Sequence, residues 1–310
     1  MRLKLGRPDL TPHAGRFDVP VADGGLGVTF AGVATLLLDD GDSAVLTDGF
    51  FSRPSLPRLL RPISPDAARI DAALDRLGLG RGGLRLDAVA PVHTHFDHVM
   101  DSAVVAQRTG AVLVGGRSAA NVGRGGGLDE SRIAVVTPGV PQRFGSFTLT
   151  HLESAHCPPD RFPGTIDAPV VPPVRTAAYR CGEAWSILVE HAGGRTALLQ
   201  GSAGYVDGAL AGRRAEVAYL GVGQLGVLDE AYLRAYWAQT VEAVGARRVV
   251  LTHWDDFFRS LDRPLRALPY AGDDLDVTLR VLGRLAQEQD VRLHLPTLWQ
   301  REDPWSGLAG

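Results

Sequence analysis

A run of the kind that forms a buried strand, residues 86–92 (Leu-Asp-Ala-Val-Ala-Pro-Val), passes without a break into His93-Thr94-His95-Phe96-Asp97-His98. Four ligand-type side chains within six residues are a poor choice for packing, because each polar group taken out of water needs a partner. On an extended or sharply turning segment His93 and His95 point the same way, so both imidazoles can reach one metal ion. Asp97 and His98 turn away and can serve a second ion. Neutral imidazole and carboxylate suit zinc or a similar divalent metal, with three protein ligands leaving a position for water. Water held there has its pKa lowered towards neutrality and becomes a hydroxide nucleophile.

The surrounding chain reads as α/β. Aliphatic runs at 33–38 and 44–46, separated by Asp39-Asp40-Gly41-Asp42, signal a hairpin. Ser64 as N-cap and Pro65 at the first helical position open a helix through Ala68, Ile70, Ala73, Leu74 and Leu77, which stops in the glycine-rich stretch 78–83. A helix starts near Asp101, and 111–114 is a short strand. That alternation places the chain in the α/β class. Further strands are legible at 132–136, 147–152, 185–190, 196–200, 217–221, 248–252 and 291–295, and helices at 229–244 and 274–289. Residues 157–182 differ: they hold six of the 20 prolines and show no periodicity. A structureless segment of that length is functional or mobile. No repeat or linker divides the sequence, so one domain over residues 1–310 is expected.

Composition narrows the function. With 45% hydrophobic and 22% charged residues in 310, the chain can bury a large core, and disorder is excluded. A formal net charge of −3 argues against a nucleic-acid partner, which needs a basic face. The 32 basic residues are nearly all arginine, a skew that reads as genome composition. Cys157 and Cys181 are the two cysteines, too few for a disulfide framework or a thiolate-rich zinc module. The start, MRLKLGRPDLTPHAG, lacks a signal-peptide apolar run, and no transmembrane-length apolar stretch follows. A soluble cytoplasmic protein is the expectation; oligomeric state is not legible.

The order of landmarks resembles the metallo-β-lactamase superfamily, over most of the chain. Within it the pattern looks closest to the branch of L-ascorbate 6-phosphate lactonases and N-acyl-phosphatidylethanolamine phospholipase D. GVATLLLDDGDSAVLTDGFFSRPS (32–55) resembles that branch's early hairpin and its L-T-D-P-type turn, and VHTHFDHVMD (92–101) its metal loop. Ser154-Ala155-His156 falls where the third histidine is expected. LLQGSAGY (198–205) fits a segment usually written G-D-T-G-Y, and LTHWDDF (251–257) supplies the last histidine. The resemblance implies an αββα sandwich of two mixed β-sheets flanked by helices, with metals at one edge. It implies one site of His93, His95 and His156, a second of Asp97, His98 and His253, and Asp48 supporting the ligands. Ser202 stands where the family pattern has a carboxylate that bridges two metals. Three outcomes then stand open: two ions bridged by hydroxide or substrate, one in the three-histidine site, or one in the Asp97–His98–His253 site. Zinc is the expected metal, one or two ions, with manganese or iron as alternatives. Asp207, five residues on from Ser202, is a candidate replacement carboxylate.

The implied activity is hydrolysis of a small-molecule lactone, ester or phosphodiester. Asp97 would orient the nucleophile or stabilise the leaving group, and Asp255, Asp256 and Tyr205 are candidate proton donors. Gln224 is a candidate pocket residue. The proline-rich stretch, with Arg161, Phe162 and Arg175, is a candidate roof for the cleft. Cys157 reads as a packing residue. The glycine patterns at 123–127 and 221–226 lack the full nucleotide-binding fingerprint. Two other readings remain: a non-catalytic metal-binding or interaction protein on the same fold, and a mononuclear iron oxygenase built on the two-histidine, one-carboxylate set.

Overall fold

The computed structural model describes residues 4–80 and 82–308. Residues 1–3, part of the N-terminal stretch read for targeting, and Arg81, within the expected glycine-rich helix stop, lie outside the described residues. The first sheet contains β1 (Gly27–Phe30), β2 (Leu36–Asp39), β3 (Ala44–Thr47), β4 (Leu86–Ala90), β5 (Val112–Gly115) and β6 (Ile133–Val135). The second contains β7 (Pro141–Phe144), β8 (Phe147–Ser154), β9 (Ala184–His191), β10 (Thr196–Gln200), β11 (Val217–Gly221), β12 (Arg248–Thr252) and β13 (Arg292–His294). A last short strand, β14 (Arg301–Glu302), returns to the first sheet, giving the orders β14-β1-β2-β3-β4-β5-β6 and β13-β12-β11-β10-β9-β8-β7.

Each sheet is antiparallel over one half and parallel over the other: β3 to β6 run parallel in the first, β10 to β13 in the second. Their inner faces interdigitate. Leu36, Leu38, Ala88 and Ala90 of one sheet share a core with Leu149, Ile187, Leu199, Tyr219 and Val250 of the other. Outside, α1 (Ala67–Arg76) and α3 (Ser102–Thr109) cover the first sheet, joined to it through Ile70, Leu74, Val105 and Ala106. The short α2 (Phe96–Val99) and α4 (Arg117–Gly125) lie between its strands in sequence. The second sheet is covered by α5 (Glu230–Trp237) and α6 (Leu275–Glu288). In α6, Leu275, Leu279, Leu282 and Leu285 are buried at helical spacing. The architecture is the αββα sandwich. Among the described residues no helix is long and apolar enough to cross a membrane.

Local differences from the sequence reading have local causes. The N-cap of α1 is Asp66, whose carboxylate accepts from the Arg69 amide; it displaces Ser64 from that role. α4 escaped notice because its sequence, RSAANVGRG, carries two glycines. The glycines are there for packing: a Cβ on Gly125 would stand 1.9 Å from the Val170 carbonyl oxygen. Gly123, part of the glycine pattern at 123–127, lies inside this helix.

Candidate metal centre

The edge of the sandwich at the carboxyl ends of β3, β4, β8, β10 and β12 collects Asp48, the 93–98 segment, His156, Ser202 and His253. Open α/β sheets place their sites at such strand ends because the loops there converge. β4 ends at Ala90, the chain bends at Val92, His93 and His95, and α2 begins immediately after His95. The side chains of His93 and His95 therefore meet, with Nε2 of the first 3.2 Å from Nδ1 of the second. The helical turn carries Asp97 and His98 to the other side.

His156 completes the first set. The three rings of His93, His95 and His156 stand with centroids 4.6–5.0 Å apart, and one nitrogen from each lies within 4.8 Å of the others. In the second set His98 Nε2 is 3.1 Å from His253 Nε2, and Asp97 Oδ2 is 3.7 and 3.5 Å from those nitrogens. Tetrahedral binding at metal–nitrogen distances of about 2.0–2.1 Å separates neighbouring ligand atoms by about 3.3–3.4 Å. The observed edges bracket that value. Lone pairs facing each other at 3.1 Å repel unless a proton or cation lies between them, so the donor set fits a metal ion.

Buried partners fix which nitrogen faces inward. His98 Nδ1 donates to Asp48 Oδ2 at 2.7 Å, leaving Nε2 for the centre, while Asp48 Oδ1 accepts from the Val92 amide. His156 Nδ1 donates to the Cys157 carbonyl at 2.7 Å. His95 turns Nε2 to Asp160 Oδ1 at 3.2 Å and to the Phe162 carbonyl at 3.4 Å. Such outer partners orient ligating imidazoles and raise their basicity. Burial, then the neighbouring histidines, pushes His93 well below the ordinary imidazole range. Burial and His95 take His156 down to about 4. Burial raises the Asp97 carboxyl, but His98 and His253 outweigh it and hold the group well below its usual range. Burial opposes charge on His98, yet Asp48 and Asp97 raise it. Neutral His93 and His156 and an ionised Asp97 are in the protonation states a metal requires, while Asp48 strengthens His98 as a base.

Backbone strain concentrates here. Of the described non-glycine residues with positive φ, Val33, Asp48, Arg53, Gln224 and His253 all belong to this edge. A β-branched residue at φ 53°, as at Val33, is a true outlier, and it persists only where the surroundings over-determine it. They do: the Val33 amide donates to Asp255 Oδ1 at 2.9 Å, and its carbonyl accepts from the His253 amide at 2.7 Å. Gly223 supports the same ligand, since a Cβ there would meet His253 Nδ1 at 2.7 Å.

Ser202 ends up close to the third histidine. Its Oγ accepts from the Cys157 amide at 3.0 Å, holding the segment that carries His156. Asp207 is exposed, and no ligand group among the described residues includes it. Asp255 is fully buried, with one oxygen on Val33 and the other paired with Arg53. Asp256 binds Arg7 and Arg266. Tyr205 packs its ring against Tyr232, and burial followed by Asp207 raises its phenol. Burial drives the Cys157 thiol up to about 12, as befits a packing residue.

The proline-rich segment lies over His95. Phe162 sets its ring edge-on to that imidazole, with centroids 6.3 Å apart, and the Cys181 carbonyl accepts from the Thr94 amide. Arg161 and Arg175 are exposed. Sequence reasoning missed Asp160, although it sits in the stretch between His156 and Phe162. Asp160 and Cys181 also form a third ligand-type group with His95, where Asp160 meets the Nε2 across the ring from the Nδ1 that faces His93.

The family model described as the metallo-beta-lactamase superfamily matches residues 28–209. No curated protein matches the chain by sequence. Among solved structures, Igni18, a metallo hydrolase from Ignicoccus hospitalis, is similar at 12% identity and a TM-score of 0.53, covering 89% of this chain and 96% of its own. A protein from Veillonella parvula described as a possible metal-dependent hydrolase is similar at 14% identity and a TM-score of 0.53, covering 90% and 98%. CmlA, a diiron β-hydroxylase from Streptomyces venezuelae, gives 12% identity and a TM-score of 0.51, covering 90% of this chain and 54% of its own.

Proposed function

Because the chain belongs to the metallo-β-lactamase superfamily, we propose that it is a metal-dependent hydrolase of a small-molecule lactone, ester or phosphodiester. The observation that carries the reading is the pair of adjacent ligand sets, His93–His95–His156 and Asp97–His98–His253, each closed to metal-binding dimensions. Divalent ions, zinc first among them, would supply Lewis-acid polarisation and a nucleophilic water at neutral pH. Asp97 is the single carboxylate among the six residues, and it serves as both ligand and orienting group. Asp48 and Asp160 hold His98 and His95 in the productive tautomer. Asp255 acts through Val33 to place His253, and Tyr205, kept protonated, is the proton-donor candidate. Phe162 and Phe257, whose rings flank His95 and His253, exclude water.

Ser202 makes the two sites unequal. A hydroxyl engaged with the Cys157 amide adds no negative charge between two cations, so occupancy of one site opposes the other. Asp97 and Asp48 favour first filling of the Asp97–His98–His253 site. Both sets draw on both sheets, which supports reading residues 1–310 as one domain. Two unpaired buried cysteines fit the reducing cytoplasm.

Turnover of generic lactone and bis-aryl phosphodiester substrates tests the hydrolase reading. Activity abolished by a chelator and by His95→Ala is expected; metal binding with no turnover on any such substrate would leave a non-catalytic protein instead. The two-histidine, one-carboxylate set favours one second reading, an iron oxygenase. Iron in the purified protein together with substrate-dependent oxygen consumption would establish it.

A further inference from the structure

A further cleft at this edge lies away from the histidines. A cleft of about 710 Å³ opens between residues 52–69, which follow β3, and residues 258–266, which follow β12. Arg53, Arg58, Arg69, Arg259, Arg263 and Arg266 line it, against the carboxylates of Asp66 and Asp262. In an arginine-rich chain the number of arginines alone decides little; their compensation does. Arg53 pairs with Asp255, Arg266 with Asp256, and Arg69 with Asp66. Arg58 and Arg259 donate only to the carbonyls of Pro62 and Pro264, which carry no charge. Asp262 attracts Arg263 and Arg69, and among the described residues no carboxylate lies within ion-pair distance of Arg58 or Arg259.

Arg53, though part of the cleft wall, keeps its guanidinium buried and paired with Asp255, its Nη1 packed where a Cβ on Gly32 would stand 2.5 Å away, so the charge facing the cleft comes from the exposed arginines. Six guanidinium groups against fewer facing carboxylates in one concavity, with Arg58 and Arg259 lacking any, focus a positive potential that an anion relieves. Their planar forks match the oxygens of a phosphoryl group. Next to it, a smaller cleft of about 450 Å³ shares Asp66, Arg69, Ser260 and Asp262, and it adds Phe51, Ala72, Leu261 and Trp299.

We propose that this double cleft binds a small organic phosphate, its phosphate or pyrophosphate group among the arginines and its apolar part against Leu261 and Trp299. The site is separate from the metal ligands and stands whether or not the hydrolase reading does. It is also near them: Phe258, which lines the cleft, packs at a tilt against Phe257 with centroids 4.4 Å apart, and Phe257 meets His253 at 5.7 Å.

The test is calorimetric titration of inorganic phosphate, inorganic pyrophosphate and naphthylphosphonate into the full chain in otherwise phosphate-free buffer. The same titrations are run on Arg58→Ala, Arg263→Ala and His95→Ala. Saturable pyrophosphate binding is expected, weakened about tenfold or more by each arginine substitution, as befits a lost charge-assisted hydrogen bond. It is expected to persist in His95→Ala and to fall as salt rises. Naphthylphosphonate is expected to bind more tightly than inorganic phosphate. Arg58 and Arg263 are exposed, so unchanged melting temperatures will show both variants folded. No binding at millimolar pyrophosphate, binding indifferent to both arginines, or binding lost in His95→Ala would each overturn the assignment. Naphthylphosphonate binding no better than phosphate would overturn the role given to the smaller cleft.

Discussion

Replacing Asp255 with alanine removes the tie between the two sheets at the metal edge. Its side chain and that of Arg53 are both fully buried, and the pair is joined by a hydrogen bond. The substitution strands the guanidinium without a counter-charge, which costs about 3–5 kcal/mol. It also leaves the Val33 amide without its acceptor, a further penalty of about 1–3 kcal/mol. The two losses share one site and will not add fully, so about 4–6 kcal/mol is expected. At about 2.1 cal/mol/K per residue, 310 residues give an unfolding entropy near 0.65 kcal/mol/K, hence a fall in Tm of about 6–9 °C. The effect should reach the ligands, because the Val33 carbonyl holds the His253 amide. Calorimetric melting of chelator-treated protein, with zinc titrations alongside, reads both consequences. Metal affinity is expected to weaken at the Asp97–His98–His253 site and to hold at the three-histidine site. A Tm within 2 °C of the parent, or an undisturbed His253 site, would refute the reasoning. Asp255→Asn supplies the check on chemistry. A positioning role leaves the shape of the pH–rate profile intact, whereas a proton-donor role removes its basic limb.

Other consequences are open to direct measurement. Asp48→Ala frees the His98 ring and should weaken metal binding about 10–100-fold by equilibrium dialysis. Ser202→Asp supplies the absent negative charge and should bring the second ion on at lower free metal, read by elemental analysis across a metal titration; an unchanged second step would contradict the account given of Ser202. Burial raises Asp101 to about 6, over the opposing hydrogen bonds from Ser52 and Phe51. The folded state therefore binds more protons than the unfolded chain between about pH 4 and 6, and the stability this carboxyl contributes falls as pH rises through that window. Denaturant midpoints should show the advantage of the parent over Asp101→Ala shrinking from pH 4 to 6 and then levelling.

What was legible in the sequence was local. The spacing of His93, His95, Asp97 and His98 is converted into direction by one sharply turning segment followed by one helical turn, so the cluster could be read without knowing the rest of the fold. Strands such as Leu86–Ala90 and Arg248–Thr252 were legible because burial on both faces demands continuous apolar runs. The contacts that hold the ligands in place were not. Val33 meets Asp255, and Asp160 meets His95, across long stretches of sequence, and nothing in either neighbourhood announces the partner. α4 ran against helix propensity because glycine is needed where the backbone of Val170 presses on it, a tertiary demand that overrides the local one. The arginine-lined cleft was hidden for a similar reason: its two walls lie about 200 residues apart in sequence, and each alone is an unremarkable basic loop.

Metal content per chain tests the central claim most directly. Elemental analysis of protein purified without added metal, then dialysed against zinc, should give close to one tightly held divalent ion per chain and approach two as free zinc rises. His98→Ala should lose the tight ion, and His95→Ala should lose the weaker one. Less than a tenth of an equivalent in the parent after zinc dialysis, or full loading in both variants, would contradict the assignment of these six residues as a metal centre.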